Sequence, residues 1–240
     1  MTSLYKRLLG GSVEPDPEPP AEPTLTVACV LRSGGRYDAE WVARLQRGVA
    51  RHLSLSHRFV CLSDVDVPCE RIPLTEDWPG WWSKISLFRP GLLTGRTLYL
   101  DLDSVIVGSL DAIAAHRHRF TGTHEYYRPH LFCSTAMAWE GDWSMIWDAF
   151  RRDPDALAAR YDRRSDHRIG DQAFIEDVLA ANGARFDTFR DLFGERSIAS
   201  WKVHCRDKGL TGEEAVVAFH GGRKQDDFVR RVDWIRENWT

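Results

Sequence analysis

The chain has 240 residues, with 32 Lys and Arg against 35 Asp and Glu and a formal net charge of −3 at pH 7. That length builds one large domain or two small ones with a sizeable core, and the near balance of charge argues against a general nucleic-acid binder. No apolar run approaches the ~20 residues of a membrane span, and no secretory signal precedes a cleavage site. The five cysteines are scattered with no Cys-x-x-Cys pair, which indicates neither a zinc site nor a disulfide framework. They read as reduced thiols in a cytoplasmic protein. Ten tryptophans are many for this length; most are expected in the core, though an indole face also stacks on sugars or bases.

Residues 1–23 read as a disordered tail and linker, and 24–240 as one domain. The tail opens with the basic, partly apolar Leu4-Tyr5-Lys6-Arg7-Leu8-Leu9. It continues through Glu14-Pro15-Asp16-Pro17-Glu18-Pro19-Pro20, a run that forms neither helix nor sheet. The domain begins with Leu25-Thr26-Val27-Ala28-Cys29-Val30-Leu31, the pattern of a buried strand. A turn from Arg32 to Tyr37 follows. Asp38 is placed to cap a helix carrying Trp41, Val42, Leu45, Val49 and Leu53 on one face. Phe59-Val60-Cys61-Leu62 is the next strand, completing a βαβ opening that predicts a parallel sheet. The Gly34-Gly35 pair carries no phosphate-loop signature and reads as a turn.

Ile72-Pro73-Leu74 looks like a short edge strand. Trp78-Pro79-Gly80-Trp81-Trp82-Ser83-Lys84-Ile85-Ser86-Leu87-Phe88 then suggests a short helix capped by Ser83 and ended before Pro90. Lys84 falls in its first turn, where the helix dipole disfavours a cation unless an anion compensates. It is therefore a phosphate candidate, against the plainer reading of a solvated lysine. Thr97-Leu98-Tyr99-Leu100-Asp101-Leu102-Asp103-Ser104-Val105-Ile106-Val107 follows: an apolar strand with two carboxylates at its C-terminal end. In an extended chain residues i and i+2 share a side. Asp101 and Asp103 are thus expected to converge on one hard cation, Mg²⁺ or Mn²⁺. The competing reading makes one a helix cap and the other a solvated turn residue.

Beyond this point the pattern gives a short helix from Asp111 through Ala115 and strands at 120–123 and 131–139. Two helices follow, around 144–151 and 155–161, with Pro154 favoured at a helix start. After a polar loop at 163–168, Gly170-Asp171-Gln172 opens a helix with Phe174, Ile175, Val178 and Leu179 on its apolar face. Asp171 is either its N-cap or a residue aimed at a cleft. Segments 185–189 and 197–204 read as short strands. Ala215-Val216-Val217-Ala218-Phe219 reads as a late strand running into His220-Gly221-Gly222-Arg223-Lys224. Phe228, Val232, Ile235 and Trp239 mark one face of a C-terminal helix, expected to pack on the domain rather than on a membrane.

Two carboxylates at a strand end, a late imidazole at His220 and lysines at 84 and 224 make a plausible Mn²⁺ site. Such an ion could neutralise a departing diphosphate, with Lys84, Lys224 and the amides of Gly221 and Gly222 adding positive charge. The chemistry that wants this is displacement of a nucleoside diphosphate.

On these residues the chain resembles the GT-A glycosyltransferases, specifically glycosyltransferase family 8 and its glycogenin-like relatives, from residue 25 to about 226. The family's Asp-x-Asp matches Leu98-Tyr99-Leu100-Asp101-Leu102-Asp103. Its upstream Lys or Arg matches Lys84, its Asp-Gln pair matches Asp171-Gln172, and its late His-Gly-Lys element resembles His220-Gly221-Gly222-Arg223-Lys224. A gapless match puts Ala218 where the family's metal histidine belongs, with His220 two residues later as the nearby candidate. The family's Pro-Trp ending is absent, and Phe132-Cys133-Ser134-Thr135 matches its Asn-Ser-Gly segment only loosely.

The resemblance implies a Rossmann-like α/β fold, with a mixed, mostly parallel central sheet flanked by helices. It implies sugar transfer from a nucleotide sugar, UDP-linked, with retention of configuration, to a glycan, lipid-linked or protein acceptor. Asp101, Asp103 and His220 would hold Mn²⁺ (or Mg²⁺). Lys84, Arg32, Tyr37, Gly222 and Lys224 would hold the donor, with Tyr37 stacking on the base, and Asp171 and Gln172 would face its sugar. Two alternatives stand at this point. Asp101-Leu102-Asp103 also looks like the first motif of haloacid-dehalogenase-type phosphatases, with Asp171 and Asp177 imitating their last. The altered late motif also suits a nucleotide-sugar-binding module without turnover.

Overall fold

The opening of the chain forms the βαβ unit that its pattern demands. Strand β1 (Leu25–Leu31) runs parallel to β2 (His57–Ser63), with Leu25 opposite His57 and Leu31 opposite Ser63. Helix α1 (Ala39–His52) lies between them. The Asp38 carboxylate caps it, accepting from the amides of Glu40 and Trp41 at 3.0 and 3.3 Å, two of the donors that a helix start leaves without partners. The structure, a computed structural model, describes residues 25–163 and 168–240. The expected tail, and most of the polar loop at 163–168, lie outside the described residues.

The remaining strands of the large sheet are β3 (Glu70–Pro73), β4 (Thr97–Leu100), β6 (Phe120–Glu125), β7 (Arg128–Trp139) and β8 (Asp187–Thr188). Its order is β3-β2-β1-β4-β7-β6-β8. β4 joins β1 in parallel, and β7 is antiparallel to both β4 and β6. The sheet is mixed and mostly parallel, as expected. A second, three-stranded sheet is built from β5 (Ser104–Ile106), β9 (Ile198–Ser200) and β10 (Val216–Ala218), with β10 central.

Alternation along the strands divides the core in two. Leu25, Val27, Cys29 and Leu31 of β1, with Leu98 and Leu100 of β4, pack under α1 and the small sheet. Ala28 and Tyr99 point the other way, into a cluster with Trp82, Ile85, Phe150 and Phe174. The helices of that second face are α3 (Met145–Phe150), α4 (Pro154–Asp162) and α5 (Gly170–Ala181), with the 3₁₀ helix Gly80–Phe88. Helix α2 (Asp111–Ala115) follows β5 as expected. Five cysteines carry free thiols. Among the described residues no helix is long and apolar enough to cross a membrane.

Several local expectations are corrected. The segment around Lys84 is a 3₁₀ helix entered from Pro79; Ser83 lies inside it and its hydroxyl donates to the Gly80 carbonyl at 2.7 Å rather than capping. Only Asp187 and Thr188 of the 185–189 segment are strand, because Thr188 caps a short helix, α6 (Phe189–Phe193). After β9 the chain winds into a π-helical turn, Trp201–Cys205, where Ser200 accepts from the amide of Val203 at 3.2 Å. The C-terminal helix, α7, covers only Asp233–Asn238. Phe228 and Val232 reach the core from turns that follow a 3₁₀ helix, Gln225–Asp227.

Candidate active site

The chain changes sheets at the Asp-x-Asp segment. β4 ends at Leu100, β5 begins at Ser104, and residues 101–103 turn between them, with the Ser104 amide donating to the Asp101 carbonyl at 3.1 Å. The side-by-side placement expected of an extended strand is therefore replaced by a turn. Three bonds from other elements fix it. The Asp101 amide donates to the Thr135 carbonyl at 2.9 Å, the Phe219 amide to the Asp103 carbonyl at 2.9 Å, and Gln225 Nε2 to the Leu102 carbonyl at 3.1 Å. Neither carboxylate caps a helix: α2 is entered from Leu110. The location is the carboxyl end of central strands, where open α/β sheets bind ligands.

Asp101 opens onto the face that holds the 3₁₀ helix. Lys84, 6% exposed, reaches across it. Its Nζ lies 3.0 Å from Asp101 Oδ1, 3.2 Å from Asp171 Oδ2 and 3.0 Å from Ser134 Oγ. The Ser134 hydroxyl donates to Asp171 Oδ2 at 2.6 Å, and the Tyr99 hydroxyl donates to Asp101. Lys84 is thus no solvated lysine. Burial opposes its charge, yet Asp101 and Asp171 raise its pKa above the ordinary lysine value. Burial also raises Asp101, and Lys84 only partly offsets that, leaving its carboxyl at about 6.

Asp171 is not an N-cap either. The helix is entered from Ile169, so Asp171 is its second residue and sits where the helix dipole favours a carboxylate. Gln172, half-buried, follows it. Gly170 adopts φ +68, a region that favours glycine, and Trp81 leans on it: a Cβ there would lie 3.2 Å from the indole Nε1.

Asp103 faces the other cation. Lys224, buried, donates to Asp103 Oδ2 and to the Phe219 carbonyl, the latter at 2.7 Å. The Tyr37 hydroxyl donates to the same carboxylate oxygen at 3.0 Å, and the Tyr37 ring meets Trp41 edge-on at 4.9 Å. Arg32, on the neighbouring turn, pairs with Asp64 at 3.6 Å and with Asp77. Gly222 is held through its carbonyl by Arg36 at 3.0 Å, which also binds Asp226 and Asp227.

His220 does not join the two aspartates. Its Nε2 lies 2.7 Å from Ser200 Oγ and its ring stacks on Tyr126, with centroids 5.1 Å apart. Burial and then Lys202 push its pKa down to about 4, so the ring is neutral at pH 7. Ala218, the position that a gapless match would give to a metal ligand, is buried in β10 opposite Ser104. Among the described residues no three His, Cys, Asp or Glu side chains are gathered at metal-binding spacing. The Asp101 and Asp103 carboxylates are the hard oxygen donors that fit a divalent cation.

Sequence reasoning missed Tyr99, Tyr126, Ser134, Ser200 and Lys202. Tyr99 was accessible as the i−2 neighbour of Asp101, and Ser134 as a polar residue inside a buried strand. Lys202 stands against Gly221, where a Cβ would collide with its Nζ; Gly221 has φ +84. Nothing in the local pattern of Lys202 marks that approach.

No protein-family model matches the sequence, and no similar sequence is found among curated proteins. Solved structures do resemble it. The glycosyltransferase GlyE of Streptococcus pneumoniae TIGR4 superposes with a TM-score of 0.60 over 90% of this chain at 10% identity. The fold is one that glycosyltransferases use. The galactosyltransferase LgtC, solved with donor and acceptor sugar analogues, gives 0.51 at 10% identity over 90% of this chain and 96% of its own. The bifunctional WbbM gives 0.54 at 10% identity over 91% of this chain and 52% of its own. The chain spans 63% of the GlyE chain, less than two-thirds.

Proposed function

We propose that the protein is a glycosyltransferase that moves a sugar from a UDP-sugar to an acceptor hydroxyl, with retention of anomeric configuration. One observation carries the reading: in a fold that glycosyltransferases use, the two carboxylates of the segment that passes between the sheets are each held by a buried lysine, Asp101 by Lys84, which also pairs with Asp171, and Asp103 by Lys224. In the reaction the bond from the anomeric carbon to the diphosphate breaks, and the diphosphate keeps the electron pair. The acceptor oxygen bonds to that carbon, and its proton goes to the departing diphosphate.

Asp101 and Asp103 would hold Mn²⁺ or Mg²⁺, which when bound neutralises charge developing on the diphosphate. His220 would have to give up Ser200 to join them. Lys224 and Lys202, with the amides of Gly221 and Gly222, would bind phosphate oxygens. Arg32 and Tyr37 lie on the turn that would hold the nucleoside, Tyr37 having an aromatic face for the base. Asp171, held in place by Lys84 and Ser134, would stabilise positive character at the sugar carbon, and Gln172 would contact the donor sugar. The phosphatase reading loses support, because Asp177 bonds to the Tyr161 hydroxyl at 2.9 Å and to Arg168 at 2.6 Å.

The test is calorimetric titration of UDP with Mn²⁺ and with chelator, on wild type and Asp103→Asn. Binding that needs both the metal and Asp103 is the expected result, followed by turnover of one member of a UDP-sugar panel. Absence of UDP binding under either condition would overturn the reading. Metal-dependent binding with no transfer to any acceptor would leave a binding module.

A further inference from the structure

Trp81 differs from the other nine tryptophans. It is 55% exposed, whereas the rest are buried or half-buried. Its neighbour Trp82 shows the ordinary fate, stacked on Phe150 at 4.7 Å. Nothing in the core requires an indole at position 81, and an exposed tryptophan forgoes the burial that favours its placement inside.

Its position is set by the site. In a 3₁₀ helix residues i and i+3 eclipse, about 6 Å apart along the axis. Trp81 therefore stands one turn before Lys84 on the same side of the helix Gly80–Phe88. The pyrrole part of its ring rests on Gly170, with Nε1 3.2 Å and both Cδ1 and Cε2 3.6 Å from the place of a Cβ. Gly170 is the residue before Asp171. The indole is thus in contact with the segment that carries Asp171 and lies one turn before Lys84, its partner in the buried ion pair. Ile169, next in line, is also exposed. A second exposed aromatic, Tyr127, 61% exposed, sits at the hairpin tip between β6 and β7 with its ring 6.0 Å from His220.

We infer that Trp81 is the acceptor platform and that the acceptor is a saccharide, one pyranose ring lying with its C–H face on the indole; this rests on the glycosyltransferase reading. The cations Lys84 and Lys224 are buried, so a ring stacked on the exposed Trp81 is on the outer, acceptor side of Asp171. A pyranose presents an apolar C–H face and a hydroxyl rim, which suits a flat aromatic surface beside polar groups. A lipid chain would need a continuous apolar track. The exposed large apolar residues among those described are Val65, Trp81, Tyr127, Ile169 and Leu192, and only Trp81 and Ile169 cluster here.

The experiment compares wild type, Trp81→Ala and Trp81→Phe, with UDP affinity as the control for folding. The acceptors are p-nitrophenyl glucosides and galactosides of both anomers, a Ser/Thr peptide and octanol. Transfer to a glycoside is expected, with its KM raised about tenfold in Trp81→Ala. The donor KM should stay within about twofold, and Trp81→Phe should recover most of the loss. An unchanged glycoside KM in Trp81→Ala, or transfer to the peptide or octanol instead, would overturn the inference. Saturation-transfer NMR with methyl glycosides, without donor, decides the matter separately. Signal in wild type that is lost in Trp81→Ala supports a sugar platform even if UDP fails to bind and the glycosyltransferase reading falls. No signal in wild type counts against the platform whatever the donor result.

Discussion

Lys84 Nζ lies 3.2 Å from Asp171 Oδ2, although one residue comes from the 3₁₀ helix before β4 and the other from the first turn of α5. With Asp101 at 3.0 Å on its other side, the ammonium is the counter-charge for two carboxylates. Removing one partner of a buried ionic set costs more than the set contributes, because the remaining charges are stranded. Lys84→Met should therefore destabilise the protein by about 3–5 kcal/mol, and Lys84→Arg should rescue it poorly, since a planar fork does not replace a point charge. Urea unfolding at pH 7 measures both. A loss below about 1 kcal/mol would mean that water screens the site.

Asp171 carries the second prediction. Its carboxylate accepts from Ser134 at 2.6 Å and pairs with Lys84, so its orientation is fixed before any substrate arrives. An electrostatic stabiliser of this kind contributes about 10²–10³ in turnover. Asp171→Asn should lower kcat by that factor while leaving UDP affinity within about twofold, because the proposed role sets the residue against the sugar and not the phosphates. Wild-type turnover in a folded Asp171→Asn protein would remove the assigned role.

Gly170 is the third. Its φ of +68 is strained for any side chain, and its Cβ would press within 3.2 Å of Trp81 Nε1. Gly170→Ala should cost about 1–3 kcal/mol and displace the indole as well. Thermal unfolding reads the first effect, and the glycoside KM reads the second. A stable variant with an unchanged KM would show that the ring moves freely.

The sequence made some of this visible and hid the rest for physical reasons. The apolar runs of β1, β2, β4, β7 and β10 and the spacing of Trp41, Val42, Leu45 and Val49 reflect burial, which leaves a pattern in one dimension. The Asp pair and Lys84 stand out in the sequence, but the two carboxylate partners of Lys84 come from distant segments that leave no local signal. Extending a strand past Ala218 groups His220 with the aspartates. The chain instead leaves β10 there, Gly221 takes φ +84, and Ser200 of β9 takes up the ring. The 3₁₀ and π turns at 80–88 and 201–205 also went unread, because short apolar runs suit strand and helix alike.

The last prediction concerns pH and a histidine away from the site. His118 is buried behind α2, with Nε2 donating to the Ile113 carbonyl at 2.9 Å and Nδ1 accepting from the Thr121 hydroxyl at 2.7 Å. Both bonds are made by the neutral ring. Burial pushes its pKa down to about 4 from the ordinary 6.5. Above pH 6.5 the folded and unfolded chains both carry it neutral, and its contribution to stability is complete. As pH falls from 6.5 to 4 the unfolded chain takes up a proton that the folded chain refuses, so stability declines with acid and then levels off for this group below 4. A gap of that size is worth about 3 kcal/mol in full. His124, His204 and His220 are shifted in the same direction, so the wild-type slope is a sum. The difference between wild type and His118→Gln, followed by urea unfolding from pH 7.5 to 4.5, isolates one proton. An identical slope in the two proteins would mean that the folded state accepts the proton on His118, with the Thr121 hydroxyl turned to receive it.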